Sequence, residues 1–250
     1  SGAELDSGSP DSNLCLNCHQ GRQSSVGVNR SIADLALDEP SESLRFLNVH
    51  YYAAGATLFG TEAQGAYEFP DKTYLGRNEH VSAYSNCTDC HSTHELEVKA
   101  EECSVCHDGV ESQEDLHAIR TSEPDYDGNG DTEEGIAGEI ETLHEKLYEA
   151  MQAYSTEVAG NTLAYESHSY PYFFNDTNGN GVADPDEAQR DNAFAGWTPR
   201  LLRAAYNYQY VAKDPGVYAH NPKYIIQVLY DNLADLGTQV SVDMTGMVRP

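Results

Sequence analysis

All six cysteines of this 250-residue chain fall in three copies of one pentapeptide: Cys15-Leu16-Asn17-Cys18-His19, Cys87-Thr88-Asp89-Cys90-His91 and Cys103-Ser104-Val105-Cys106-His107. Two thiols separated by two residues, with a histidine directly after, form the attachment pattern of c-type haem. The thiols make thioethers with the two former vinyl groups on one porphyrin edge, and the histidine is placed to ligate iron from one face. A disulfide framework gives no reason for a histidine after each pair. A thioredoxin-like pair occurs once, beside a βαβ pattern that is missing here. Zinc is the serious rival, because only 12 residues separate Cys90 from Cys103, a ribbon-like spacing. It leaves Cys15 and Cys18 without a mate and three histidines in register unexplained. The pattern predicts three covalent haems. Such attachment occurs outside the cytoplasm, so a periplasmic, surface-bound or extracellular protein is expected, and the lack of a leftover cysteine suits an oxidising setting.

Seven further histidines compete for the opposite faces of the irons: His50, His80, His94, His117, His144, His168 and His220. An iron with histidine on both faces passes electrons, whereas one with an open face can bind substrate. His50, His80, His94 and His220 are the favoured distal ligands. His50 shares one side of a predicted helix over 41–58 with Leu47, Ala54 and Leu58, and the small run Ala53-Ala54-Gly55-Ala56 lets a flat ring approach. His94 follows His91 too closely to reach over its own haem and is expected to serve a neighbouring one. His220 stands before Asn221-Pro222, a helix N-cap with proline at the first helical position, which fixes its direction. His144, between Glu141 and Glu145 on the edge of an amphipathic helix, is expected to be solvated. Met151, Met244 and Met247 are weaker axial candidates, and Met151 is expected in a helix core.

A second set of residues suits a hard cation. Asp176, Asn178, Asn180, the carbonyl of Val182 and Glu187 fall at ligating positions of an EF-hand loop, with Gly181 at its turn. The preceding Tyr170–Phe174 stretch is not helical in character, so an EF-like loop without a paired EF-hand domain is expected. Asp125, Asp127, Asn129 and Asp131 open the same pattern, but Ile136 occupies the closing position. Glu134, with Glu133 beside it, is expected to close that shell early. Calcium in each loop, two ions in all, is the favoured reading, and a solvated Asx-rich turn is the bland one. Residues 121–145 hold nine acids and no Lys or Arg, a density that repels itself unless cations or solvent screen it.

The whole chain is acidic, with 14 Lys+Arg against 41 Asp+Glu and a net charge of −27. Like-charge repulsion argues against nucleic acid or an anionic membrane face as partner. No uncharged apolar run approaches the ~20 residues of a membrane span. No signal peptide opens the chain, so Ser1 is expected to be a mature N-terminus or an artificial start. Apolar residues make up 39% even with 17 Tyr counted, a thin supply for a core. Three macrocycles would add apolar surface from outside the sequence.

These groups need elements to hold them. Ile136, Ile140, Leu143, Leu147, Met151, Tyr154 and Val158 step by four or three, predicting an amphipathic helix that ends near Gly160. Thr198-Pro199 opens another helix, stopped by Asp214-Pro215-Gly216. Asn221-Pro222 opens a third, with Ile225, Ile226, Leu229, Leu233 and Leu236 inside and Gly237 as its stop. Little alternates with period two. The expected fold is mainly α with extensive loops and few or no strands, organised around three covalent haems. Residues 1–120 form a triheme-binding region, and residues 121–250 form a helical region with both calcium loops, packed on the first.

Several stretches resemble multihaem c-type cytochromes of metal-reducing and related anaerobic bacteria. They are Cys15 to Arg22, Val49-His50-Tyr51, Cys87 to His94, Asp127 to Asp131, Gly135 to Ile140, Trp197 to Leu202, Ala219-His220-Asn221 and Leu229-Tyr230-Asp231. The resemblance covers most of the chain and is densest in the C-terminal run. It implies histidine on both faces of each iron and an electron carrier, not an enzyme, exchanging electrons with other redox proteins or extracellular acceptors. Some members of the group polymerise into filaments in which one subunit supplies an axial histidine to the next, so a homopolymer sharing haem ligands is a further expectation. Two competitors remain. One is a multihaem reductase with one open iron acting on a small nitrogen or sulfur oxyanion. The other is a calcium-dependent adhesion module.

Overall fold

The computed structural model describes residues 2–250. Its helices are α1 (Pro10–His19), α2 (Ser25–Ile32), α3 (Ala54–Phe59), α4 (Cys87–Cys90), α5 (Ala100–Cys103), α6 (Ile136–Glu157), α7 (Pro199–Ala212), α8 (Val217–His220) and α9 (Pro222–Leu236). A two-stranded antiparallel sheet joins β1 (Leu163–Tyr165) to β2 (Phe173–Asn175), with Ala164 opposite Phe174. The mainly helical, loop-rich fold agrees with expectation.

The long helices form where the apolar spacing placed them. In α6 the face made by Ile140, Leu143, Leu147, Met151 and Tyr154 is buried, and it packs on α7 and α9, which pack on each other. Both later helices open as their sequences dictate. Thr198 accepts from the Leu201 amide with Pro199 at the first turn, and Asn221 accepts from the Tyr224 amide with Pro222 behind it. Proline is tolerated there because its missing N–H has no partner within the first turn. The main core draws on both halves of the chain, from Leu16, Val49 and Phe59 to Trp197, Tyr206 and Leu229.

The predicted helix over 41–58 is corrected. Only Ala54–Phe59 is helical. The predicted stripe is not the buried one: Leu47, Ala54 and Leu58 are half-buried and His50 is exposed, whereas Leu44, Val49 and Ala53 are buried, and their stretch finds distant hydrogen-bond partners. Ser41 N donates to Trp197 O, Val49 N to Gln209 Oε1 and Ala53 N to Lys213 O. His50 and Tyr51 both have positive φ, 56° and 63°, which no right-handed helix permits.

Candidate haem sites and cation loops

In the second and third motifs the histidine amide donates to the carbonyl of the first cysteine, at 2.9 Å in each. The pentapeptide is thus one helical turn, which brings residues i, i+3 and i+4, the two cysteines and the histidine, to one side. The first motif occupies the last turn of α1. Gly55 in α3 lies so close to that turn that a Cβ there would meet Leu16 Cδ2 at 2.5 Å and His19 O at 3.0 Å. The second motif is α4 with His91 after it, started by Asn86, whose amide donates to Asp89 Oδ2 at 2.8 Å. The third begins at the end of α5.

The three motifs are contiguous. Cys87 N donates to Ser12 Oγ at 3.0 Å, tying α4 to α1. Burial and the adjacent Cys87 push the Cys15 thiol up, and burial with Cys103 nearby does the same to Cys90. The middle motif therefore borders both others. Lys99 reinforces the second contact, its amide donating to Cys90 O and its Nζ to Thr88 O.

Two motif histidines face a second imidazole. The His91 and His220 ring centroids are 6.3 Å apart with planes at 35°. His107 and His80 are likewise 6.3 Å apart with planes at 38°. Metal–imidazole bonds of about 2.0 Å, with roughly 1.1 Å from ring nitrogen to ring centre, place two rings sharing one metal about 6 Å apart. Both pairs have room for an iron between them, and the residues fit the group. Each pair joins a motif histidine to a distal histidine expected from the sequence. His19 has a buried Nδ1 without a hydrogen-bond partner and no second histidine at that spacing among the described residues.

His220 is held by a buried carboxylate. It ends α8, and its Nδ1–H donates to Asp214 Oδ1 at 2.8 Å, leaving Nε2 free for metal. The Asp214 side chain is only 1% exposed. Burial opposes its charge, but His220 holds its carboxyl below the ordinary range. A Cβ on Gly216 would meet His220 Cε1 at 2.7 Å, so only glycine admits the ring. Burial, with His220 and His19 close by, lowers His91 and keeps it neutral, as a ligand must be.

The remaining histidines divide. His50 and His94 are exposed; the His50 ring lies 4.1 Å from that of Tyr51, tilted at 57°. His117 lies against Tyr218, and His168 beside Glu166. The expectation that His144 is solvated is corrected: it is half-buried. It stacks on Tyr208 at 4.1 Å and its Nε2 reaches Tyr208 O at 2.8 Å.

The two acidic loops share one hydrogen-bond plan. In the second, Asp176 accepts from the amides of Gly179 and Gly181, Asn178 from that of Asn180, and Asn180 from that of Val182. In the first, Asp125 accepts from Gly128 and Gly130, Asp127 from Asn129, and Asn129 from Asp131. Glu187 accepts from the amides of Thr177 and Asn178. The matching place in the first loop belongs to Glu139 of α6, which accepts from Tyr126 and Asp127. Carboxylate oxygens of Asp125, Asp127 and Glu139 lie within 4.8 Å of one another. Glu134 instead accepts from Asn129 Nδ2. Sequence reasoning passed over Glu139, since it lies beyond a standard loop; the turn that folds α6 back brings it in.

No family model and no solved structure matches the chain. It is 26% identical over 258 residues to the C-type polyheme cytochrome OmcB of Geobacter sulfurreducens (strain DL-1 / KN400), covering 89% of this chain and 30% of that protein. To the C-type polyheme cytochrome OmcC of Geobacter sulfurreducens (strain ATCC 51573 / DSM 12127 / PCA) it is 28% identical, covering 89% of this chain and 29% of that protein. The chain thus spans under a third of the length of these relatives. Similarity running through most of this chain supports its reading as a multihaem c-type cytochrome.

Proposed function

We propose that the chain carries electrons through three c-type haems outside the cytoplasm, without converting a substrate. The observation that carries this reading is the pair of histidine–histidine spacings at 6.3 Å, each beside a Cys-x-x-Cys motif. When bound, each haem supplies a one-electron Fe(III)/Fe(II) couple. Cys15 and Cys18, Cys87 and Cys90, and Cys103 and Cys106 anchor the groups through thioethers. His91 with His220 and His107 with His80 would each hold an iron between two imidazoles, an arrangement that suits electron transfer and not substrate binding. Cys87 is a neighbour of Cys15 and Cys103 of Cys90, so groups anchored there would be close enough to exchange electrons. Residues 1–120 serve as the triheme-binding region, and residues 121–250 as a helical scaffold that supplies His220.

For His19 the distal ligand is His50 or His94, from this chain or from a neighbouring copy in a homopolymer. Both are exposed. The two acidic loops hold one calcium each. Redox partners are other electron carriers or extracellular acceptors, and no helix among the described residues is long and apolar enough to cross a membrane.

The test is a haem count by pyridine haemochrome with mass spectrometry, followed by low-temperature electron paramagnetic resonance of the oxidised protein. Three haems, all low-spin, are expected; fewer than three, or zinc in their place, overturns the proposal. One observation favours a second reading, an open iron at His19: no second histidine faces it among the described residues. Carbon monoxide binding to one of three reduced haems, with turnover of nitrite, hydroxylamine or tetrathionate, would establish that reductase. Electron microscopy of the native protein separates a filament from a monomer.

A further inference from the structure

We infer that Asp214 is a positioning residue for the iron ligand His220, and that its carboxylate lowers the reduction potential of the haem held between His91 and His220. This rests on the ligation proposed above. Five histidines are assigned to irons by motif or by spacing: His19, His80, His91, His107 and His220. Among the described residues, only His220 of these five has a carboxylate on its second ring nitrogen, with Nδ1 lying 2.8 and 3.0 Å from the two Asp214 oxygens. The contrast with His19 is sharp, since its buried Nδ1 meets nothing.

The local fold builds this contact. Asp214 lies just past the end of α7, and His220 closes α8, which starts after the Pro215-Gly216 turn. Gly216 N donates to Asp214 Oδ1 at 3.1 Å, fixing the carboxylate, while the missing Cβ of Gly216 makes room for the imidazole. The side chain of Asp214 is 1% exposed, so water does not compete for the acceptor.

An anionic acceptor on Nδ1–H pushes electron density into the ring and raises the basicity of Nε2. A more basic ligand stabilises Fe(III), which bears one more positive charge, over Fe(II). Low local dielectric enlarges the effect. Reduction adds one electron to iron, and the proton stays on Nδ1 in both states, so no proton enters the balance. The carboxylate also fixes the ring plane and the tautomer. The middle site, which borders both others, is therefore electronically distinct from its neighbours.

The experiment uses the whole haem-loaded chain and the Asp214→Asn variant, which keeps the shape and an acceptor oxygen but loses the charge. Spectroelectrochemical titration should show one of three midpoint potentials rising by about a tenfold change in the Fe(III)/Fe(II) ratio, ~59 mV for one electron. The other two should stay, with haem content and low-spin spectrum unchanged. Three loaded haems with no potential moved, or with all three moved together, overturn the role of Asp214 alone. If His220→Ala leaves every haem low-spin and carbon-monoxide-inert, His220 is not a ligand and the ligation falls as well. Should the Asn variant not fold, proton NMR of the reduced, unsubstituted protein decides. A His220 Nδ1 proton that is downfield and exchange-protected relative to those of the other ligands supports the inference, and a rapidly exchanging one overturns it.

Discussion

At the scale of single residues, the proposed ligand pairs and one half-buried imidazole make the clearest demands. Replacing His80 or His220 with alanine removes the imidazole 6.3 Å from a motif histidine. One haem of three should then turn high-spin and bind carbon monoxide once reduced, read by its absorption spectrum; unchanged low-spin spectra would refute that pairing. His144 matters for folding. Burial pushes it from 6.5 down to about 4, only partly opposed by its bond to Tyr208 O. The unfolded chain therefore binds a proton through that window which the folded protein refuses. Stability from this site is complete above pH 6.5 and is lost as pH falls toward 4, by roughly 2–3 kcal/mol. In His144→Gln, urea midpoints compared at pH 7 and 4.5 should fall less than in the unsubstituted protein. An equal fall in both would mean that acid acts elsewhere. The Cys-x-x-Cys-His motifs were fully legible because their ligands adjoin in the chain. The facing imidazoles were not, since His220, opposite His91, comes from beyond α7. Asp214 showed in the sequence only as part of a helix-stopping Asp-Pro-Gly turn.

At the scale of elements, capping and periodicity agree for α6, α7 and α9, and these were read almost to the residue. The failure at 41–53 has a physical cause. Leu44, Val49 and Ala53 are buried, but the amides of Ser41, Val49 and Ala53 donate to Trp197 O, Gln209 Oε1 and Lys213 O. Burial spacing alone cannot tell a helix from an extended segment that lies along helices formed far away in sequence. Such a segment is only as secure as the helix it borrows from, which gives the start of α7 unusual weight. Thr198 Oγ1 accepts from Leu201 N at 3.1 Å and lies 3.0 Å from Tyr154 Oη on α6. Tyr154 also donates to Asp38 Oδ1 at 2.7 Å. Thr198→Ala therefore loses a buried cap and part of a link between two core helices. It should cost about 1–2 kcal/mol, lowering Tm by several degrees. Loss well under 1 kcal/mol would show that water or Tyr154 replaces the cap.

At the scale of the whole molecule, charge and core must be considered together. The chain carries −27, and its acidic first loop sits directly on α6, the helix that packs against both α7 and α9. Glu139 is buried there with Asp127, and the cations that approach come from outside the acidic stretch. Arg120 Nη1 is 2.6 Å from Glu139 Oε1, and Lys146 Nζ donates to Asp127 O. These two positive charges offset only part of the carboxylate repulsion around the loop. A divalent ion among Asp125, Asp127 and Glu139 would remove more of it and would pin the start of α6 to the chain before it. That helix bears on α9, whose N-cap Asn221 directly follows His220. Calcium is thus expected to stabilise the scaffold that presents His220, the proposed haem ligand, without touching the haem. An ion at about a hundred times its Kd contributes roughly 2.7 kcal/mol, so chelation should lower Tm on the order of 5–10 °C. The haem spectrum below the melt should not change. An unchanged melting curve, with calcium removal verified by elemental analysis, would assign both loops to solvated turns and leave their carboxylates to be screened by water and salt alone.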